Sequence, residues 1–174
     1  MADDENDQKN AVKAALAFER EPFVHALIGA YSSQATFNQV NALRGKGIVL
    51  ISGTSTATNQ AYRSKYRQEQ QTTGGKQTMD LNWFFRTVST TDKGSQKLVE
   101  AITRLQPRGH EILLFYQDKD LFADSYRHDF KIHATKANLK IYKEVSLHSV
   151  DEKGIDRELQ QFKTKPTAGN QAKS

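Results

Sequence analysis

Short apolar runs separated by amphipathic stretches constrain this chain more than any other feature. The runs fall at residues 23–28, 48–51, 83–88, 112–116 and 139–145, the last of them alternating apolar with charged. A run of four to six apolar residues is too short for a buried helix but suits a strand covered on both faces. Helical periodicity fills most of the spaces between them. Strands that alternate with amphipathic helices fold as βαβ units, so the predicted class is α/β, with parallel sheets flanked by helices.

The helices follow from their stop and start signals. The first is predicted over residues 7–20, capped by Asp4, Asn6 or Asp7, with Ala11, Val12, Ala15, Leu16 and Phe18 inward and Pro22 after it. A second runs from Ser32 or Ser33 to Leu43 and stops at Gly45 and Gly47. Residues 59–78 are polar, lack periodicity and break at Gly74-Gly75, so they are read as a loop with a short helix. A helix over 92–105 carries Leu98, Val99, Ile102 and Leu105. Another begins after Asp120 and runs to Ala137, with Phe122, Tyr126, Phe130 and His133 or Ala134 inward; a short one follows over 155–162. The break near residues 88–92 divides the chain into a first α/β layer over 1–88 and a second over 89–163, with a disordered tail at 164–174.

Composition removes several functions. No cysteine is present, so disulfides, thiol catalysis, iron–sulfur clusters and cysteine zinc sites are excluded. No apolar run approaches the ~20 residues of a membrane-spanning helix. The acidic start, Met1-Ala2-Asp3-Asp4-Glu5, lacks the apolar core of a secretory signal, so the chain as written reads as cytoplasmic. Net charge is +5, yet the 25 basic residues are interspersed with 20 acidic ones, which disfavours nucleic acid as a partner. The histidines lack zinc-ligand spacing, and neither Gly-Lys site has the pattern of a phosphate loop. Asp118 and Asp120 read as caps of the helix that follows rather than as acid–base groups. No catalytic residue, metal site or cofactor emerges, and the chain reads as non-enzymatic.

Two corners stand out. In open α/β sheets ligands lie beyond the carboxyl ends of the strands. The first strand runs into Gly29-Ala30-Tyr31-Ser32-Ser33-Gln34 and the second into Ser52-Gly53-Thr54-Ser55-Thr56. Hydroxyls, free backbone N–H groups and a helix N-terminus together suit a carboxylate or phosphate. The competing reading is that these serines and threonines are ordinary helix caps.

The order of segments resembles the type I periplasmic solute-binding proteins, the branched-chain amino acid and amide receptors of ABC transporters. The segments are Asp3-Asp4-Glu5-Asn6-Asp7 before a helix; residues 26–36 and 48–56; Phe84-Phe85-Arg86-Thr87-Val88 with Asp92; and 113–120. The resemblance implies a Rossmann-like, two-lobed architecture that closes on an amino acid or related carboxylate, with the membrane components of an ABC transporter as partners and a periplasmic location. It assigns the ligand carboxylate to Ser33, Thr54, Ser55 and Thr56, includes Tyr31 in the cradle, and puts Phe122 on the facing wall. It also implies a truncated member. The family's first strand and helix and much of its second lobe have no counterpart, and the acid that holds the ligand ammonium falls in that part. Half a cleft predicts binding at about millimolar level or none at all.

Other classes compete. An open sheet edge would make the chain an interaction module, homo-oligomers included. An intracellular sensor segment using its basic surplus would show steep salt dependence on DNA.

Overall fold

A computed structural model describes residues 7–73, 79–105 and 111–164. Helix α1, Gln8–Glu19, starts where Asp7 accepts the N–H groups of Lys9 (2.8 Å) and Asn10 (2.9 Å), satisfying donors that the first turn leaves free. Its inward face is small: Ala11 and Ala15 are buried. Strand β1, Ala26–Ile28, is shorter than the apolar run suggests. Phe23 lies outside it, 90% exposed, because the chain turns at residues 21–23 after Pro22 and reaches the sheet only at residue 26.

Helix α2 (Ser33–Ala42), strand β2 (Val49–Ser52) and strand β3 (Phe84–Arg86) follow, with helix α3 (Asn59–Thr73) between the last two. The three strands form one parallel sheet in the order β1-β2-β3. Ala26 pairs with Val49 and Ile28 with Ile51, while Leu50 pairs with Phe84 and Ser52 with Arg86. This register brings the carboxyl ends of β1 and β2 level. The corners that leave them therefore meet. On the free side of β1, Ala26 is exposed and Ile28 is 88% exposed.

The polar stretch after residue 58 is a helix of fifteen residues, not a loop. Tyr62 and Tyr66 sit one turn apart on its inner face, both buried with Phe37, Leu50 and Phe84 in the largest apolar cluster. Burying each ring contributes about 2 kcal/mol by area. Two anchors suffice to hold an otherwise hydrophilic helix, which is why periodicity missed it. The Gly74-Gly75 break lies outside the described residues.

The second half comprises α4 (Thr91–Leu105), β4 (Glu111–Tyr116), α5 (Leu121–Lys136), β5 (Lys140–Ser146) and α6 (Glu152–Thr164). Strands β4 and β5 pair in parallel, from Glu111 opposite Lys140 to Tyr116 opposite Ser146. Val99, Phe130, Ala134 and Leu139 form its core. Helices α4 and α5 approach closely at Gly94, where a Cβ would stand 3.3 Å from the Tyr126 ring. The predicted apolar face of α4 is only half right: Val99 is buried, but Leu105 is 76% exposed. On α5 the buried positions are Leu121, Ser125, Asp129, Phe130 and Ala134, and Phe122 faces outward.

The halves are joined by polar and apolar contacts. Leu121 opens α5 yet belongs to the core of the first sheet. The Thr58 N–H donates to Ser125 Oγ (3.1 Å), Thr91 Oγ1 and Ser125 Oγ are 2.7 Å apart, and Thr91 Oγ1 donates to Asp129 (2.6 Å). The Thr91 N–H donates to the Thr56 carbonyl at 2.8 Å.

Candidate ligand-binding cleft

The corners after β1 and β2 are stitched together by their own hydroxyls. Ser52, fully buried, donates through Oγ to the Ala30 carbonyl (3.0 Å) and accepts the N–H groups of Ser55 (2.9 Å) and Thr54 (3.3 Å). Thr54 Oγ1 donates to the Tyr31 carbonyl (2.7 Å), with the Ala30 carbonyl 3.3 Å away. Ser33 Oγ accepts the Ala57 N–H (3.2 Å). A hydroxyl can both donate and accept, so each residue ties two segments at once.

Arg86, at the end of β3, braces the second corner from behind. Its guanidinium donates to the carbonyls of Ser55 (3.4 Å) and Ala57 and to Asn59 Oδ1 (2.7 Å), and it lies against the rings of Tyr62 and Phe84. A trans peptide sets N–H and C=O on opposite sides. Holding the Ser55 and Ala57 carbonyls therefore turns the Thr56 and Thr58 N–H groups away from Arg86. Burial lowers the Arg86 pKa, partly offset by Tyr62. Burial raises the Tyr62 pKa, against the opposing influence of Ser55, Arg86, Ser33 and Thr36.

In front of these corners is a cleft of about 590 Å³. One wall is Tyr31, Ser32, Ser33, Gly53, Thr54 and Thr56; the other is Gln117, Asp120 and Phe122, from the loop after β4 and the start of α5; Val88 lies between. Helix α2 points its N-terminus here. Ser32 caps it by accepting the Ala35 N–H (3.1 Å), and the preceding N–H groups of Ser33 and Gln34 have no acceptor within the helix. The N-terminal partial charge, about half an elementary charge, favours an anion at this wall.

Of the residues singled out from sequence, Ser33, Thr54, Thr56, Tyr31 and Phe122 line this one cleft. Ser55 does not. It is fully buried, with its hydroxyl bonded to Tyr62 and its N–H to Ser52, so its chemistry is spent inside the corner. Thr54 lines the rim, but its donors go to Tyr31, Ala30 and Ser52. Tyr31 is 74% exposed and serves as an open wall rather than a buried contact. Asp120 caps α5 as expected, accepting the Ala123 N–H at 2.8 Å, and also faces the cleft. Gln117 and Val88 fall within the segments that carry the resemblance but were not singled out as ligand-binding residues, since neither side chain marks a carboxylate site by its type.

A second, polar cleft of about 630 Å³ lies between α3 and α5, bordered by Thr58, Lys65, Asp118, Lys119 and Asp124 among others. It lies against the first turn of α3, where Thr58 Oγ1 accepts the Ala61 N–H (3.1 Å). Asp118 there pairs with His148.

No family model and no curated protein matches the sequence. Solved structures do match in shape. An ABC transporter substrate-binding protein from Desulfitobacterium hafniense superposes with a TM-score of 0.69 at 17% identity, over 93% of this chain and 42% of that one. A structure of an ABC transporter substrate-binding protein from that organism in complex with Leu gives 0.69 at 18% identity over the same shares. The leucine-binding protein LivK from Thermotoga maritima gives 0.70 at 14% identity, over 92% and 41%. The chain thus spans about two fifths of the length of these structures.

Proposed function

We propose that this chain, whose fold is that of the type I periplasmic binding proteins, is a non-enzymatic binding domain for a small amino-acid-like carboxylate. The observation that carries the reading is the convergence of Ser33 and Thr56 on one cleft whose far wall comes from the other half of the molecule. The ligand carboxylate sits against the start of α2, receiving the N–H groups of Ser33 and Gln34 and the hydroxyl proton of Thr56. Val88, Tyr31 and Phe122 supply an apolar surface for an aliphatic side chain. Leucine is the natural first probe, since one matching structure holds it. The membrane components of an ABC transporter are the macromolecular partners this reading implies.

An open cleft of this size excludes water incompletely, so affinity is set at about millimolar. Nuclear magnetic resonance titration of the full chain with L-leucine tests the reading. Saturable shifts of the Ser33, Gln34 and Thr56 amides, weakened about tenfold by Thr56→Ala, are expected. Absence of any saturable shift at tens of millimolar would refute it.

A further inference from the structure

The hydroxyl cleft opens onto a second space at its far wall. Gln117, Asp120 and Phe122, which form that wall, also line a groove of about 540 Å³ between α4, β4 and α5. Leu98 and Ile102 of α4, Ile112 and Leu114 of β4, Tyr126 of α5 and Leu147 make the groove apolar. Leu98, Phe122 and Leu147 are exposed, and apolar surface gathered in one place and left in water marks a binding face. Two charged side chains line the groove, and both are committed elsewhere. Arg127 lies over the Tyr116 ring, 4.1 Å from its centroid, and donates to Glu144 (3.3 Å). Asp120 accepts the Ala123 N–H and caps α5.

Continuity between the two spaces selects the occupant. A molecule held by its carboxylate at the start of α2 reaches the groove simply by being longer, and once there it needs no charge. An enclosed cavity of about 150 Å³ already holds a benzene ring, so a groove of this volume has room for the outer half of a chain of about eight carbons. We infer that cleft and groove are one site, and that its ligand is an amino-acid-like carboxylate with a straight alkyl tail longer than the leucine side chain, carried past Phe122 into the groove. The inference rests on the carboxylate-binding reading above and names the chemistry of the ligand's other end.

Resonance titration of the full chain with L-2-aminobutanoate, L-2-aminohexanoate and L-2-aminooctanoate tests it, with L-leucine and 1-octanol as comparisons. Affinity should rise about twofold per added methylene, since full burial gives about fourfold and an open groove covers only about half of the tail. The eight-carbon acid should shift the amides of Leu98 and Leu114 together with those of Ser33, Gln34 and Thr56. Leu98→Gln and Leu147→Gln, both at exposed positions, should each lower the preference for the eight-carbon over the four-carbon acid about threefold. Equal affinities along the series, or a preference that survives both variants, would overturn the inference while the carboxylate reading stands. Octanol binding as tightly as 2-aminooctanoate would overturn it as well, by showing that the groove acts alone. So would Leu98 and Leu114 amides that move on dilution of the free protein, the mark of a second copy seated in the groove. No saturable shift with any of the acids would overturn both readings.

Discussion

Ser33 Oγ accepts the backbone N–H of Ala57 at 3.2 Å, which makes the first turn of α2 and the corner after β2 one unit. Ser33 is nearly inaccessible to solvent, so an alanine there leaves the Ala57 N–H buried and unbonded. Ser33→Ala should cost about 1–3 kcal/mol, the usual penalty for orphaning a buried donor, read as a lower urea midpoint with an unchanged slope. A midpoint equal to wild type would show that the corner is held without this bond.

Arg86 braces the same corner through several carbonyl and amide oxygens while lying against two aromatic rings. Lysine offers one charged centre and no planar fork, so Arg86→Lys is not a conservative change. It should lower stability by about 1–3 kcal/mol and speed hydrogen exchange at Thr56 and Thr58 relative to the β2 amides. Uniform acceleration at all amides would indicate a global effect instead of a local brace.

Burial holds the Tyr62 hydroxyl in its neutral form and raises its pKa above the ordinary tyrosine value. The folded state therefore keeps a proton that the unfolded chain releases near pH 10. Stability from this source is complete below about pH 10 and declines as pH climbs from there through the folded-state pKa. Urea unfolding of wild type and Tyr62→Phe across pH 8 to 11 isolates it, since other groups titrate alike in both. The wild-type curve should fall away from that of the variant only above about pH 10. Parallel curves throughout would contradict the buried neutral phenol.

Ser125 Oγ receives the Thr58 N–H from the other half of the molecule and contacts Thr91 Oγ1. Ser125→Ala should cost about 1–3 kcal/mol and raise the exchange rate of the Thr58 amide above those of the Leu50 and Ile51 amides. Unchanged protection at Thr58 would mean that this contact does not hold the halves together.

Much of the sheet was legible because apolar runs and their stop signals are local. The run at residues 48–51 sits one residue from its strand, and Asp7, Ser32 and Asp120 cap the helices that they precede. Helix α3 was not legible, since its hold on the core comes chiefly from Tyr62 and Tyr66, with Ala61 beside them, and only the folded chain shows which rings meet Phe37 and Phe84. The cleft divides the same way. Hydroxyls at Ser33 and Thr56 were visible as residues after strands. The distinction between a hydroxyl free to serve a ligand and one consumed by the fold, as in Ser55, depends on where Tyr62 and Ser52 reach. Arg86 and Ser52 lie in segments noted from sequence without a role being assigned to them; their importance lies in which carbonyls and N–H groups they touch.

The backbone from Gln117 to Asp124 borders several openings: Gln117, Asp120 and Phe122 line the hydroxyl cleft and an apolar one against α4 and β4, and Asp118, Lys119, Leu121 and Asp124 line the one beside α3. It acts like a shared partition between adjoining rooms. Neighbouring positions on so short a stretch cannot be placed independently, so the backbone geometry that sets the border of one also sets the border of the other.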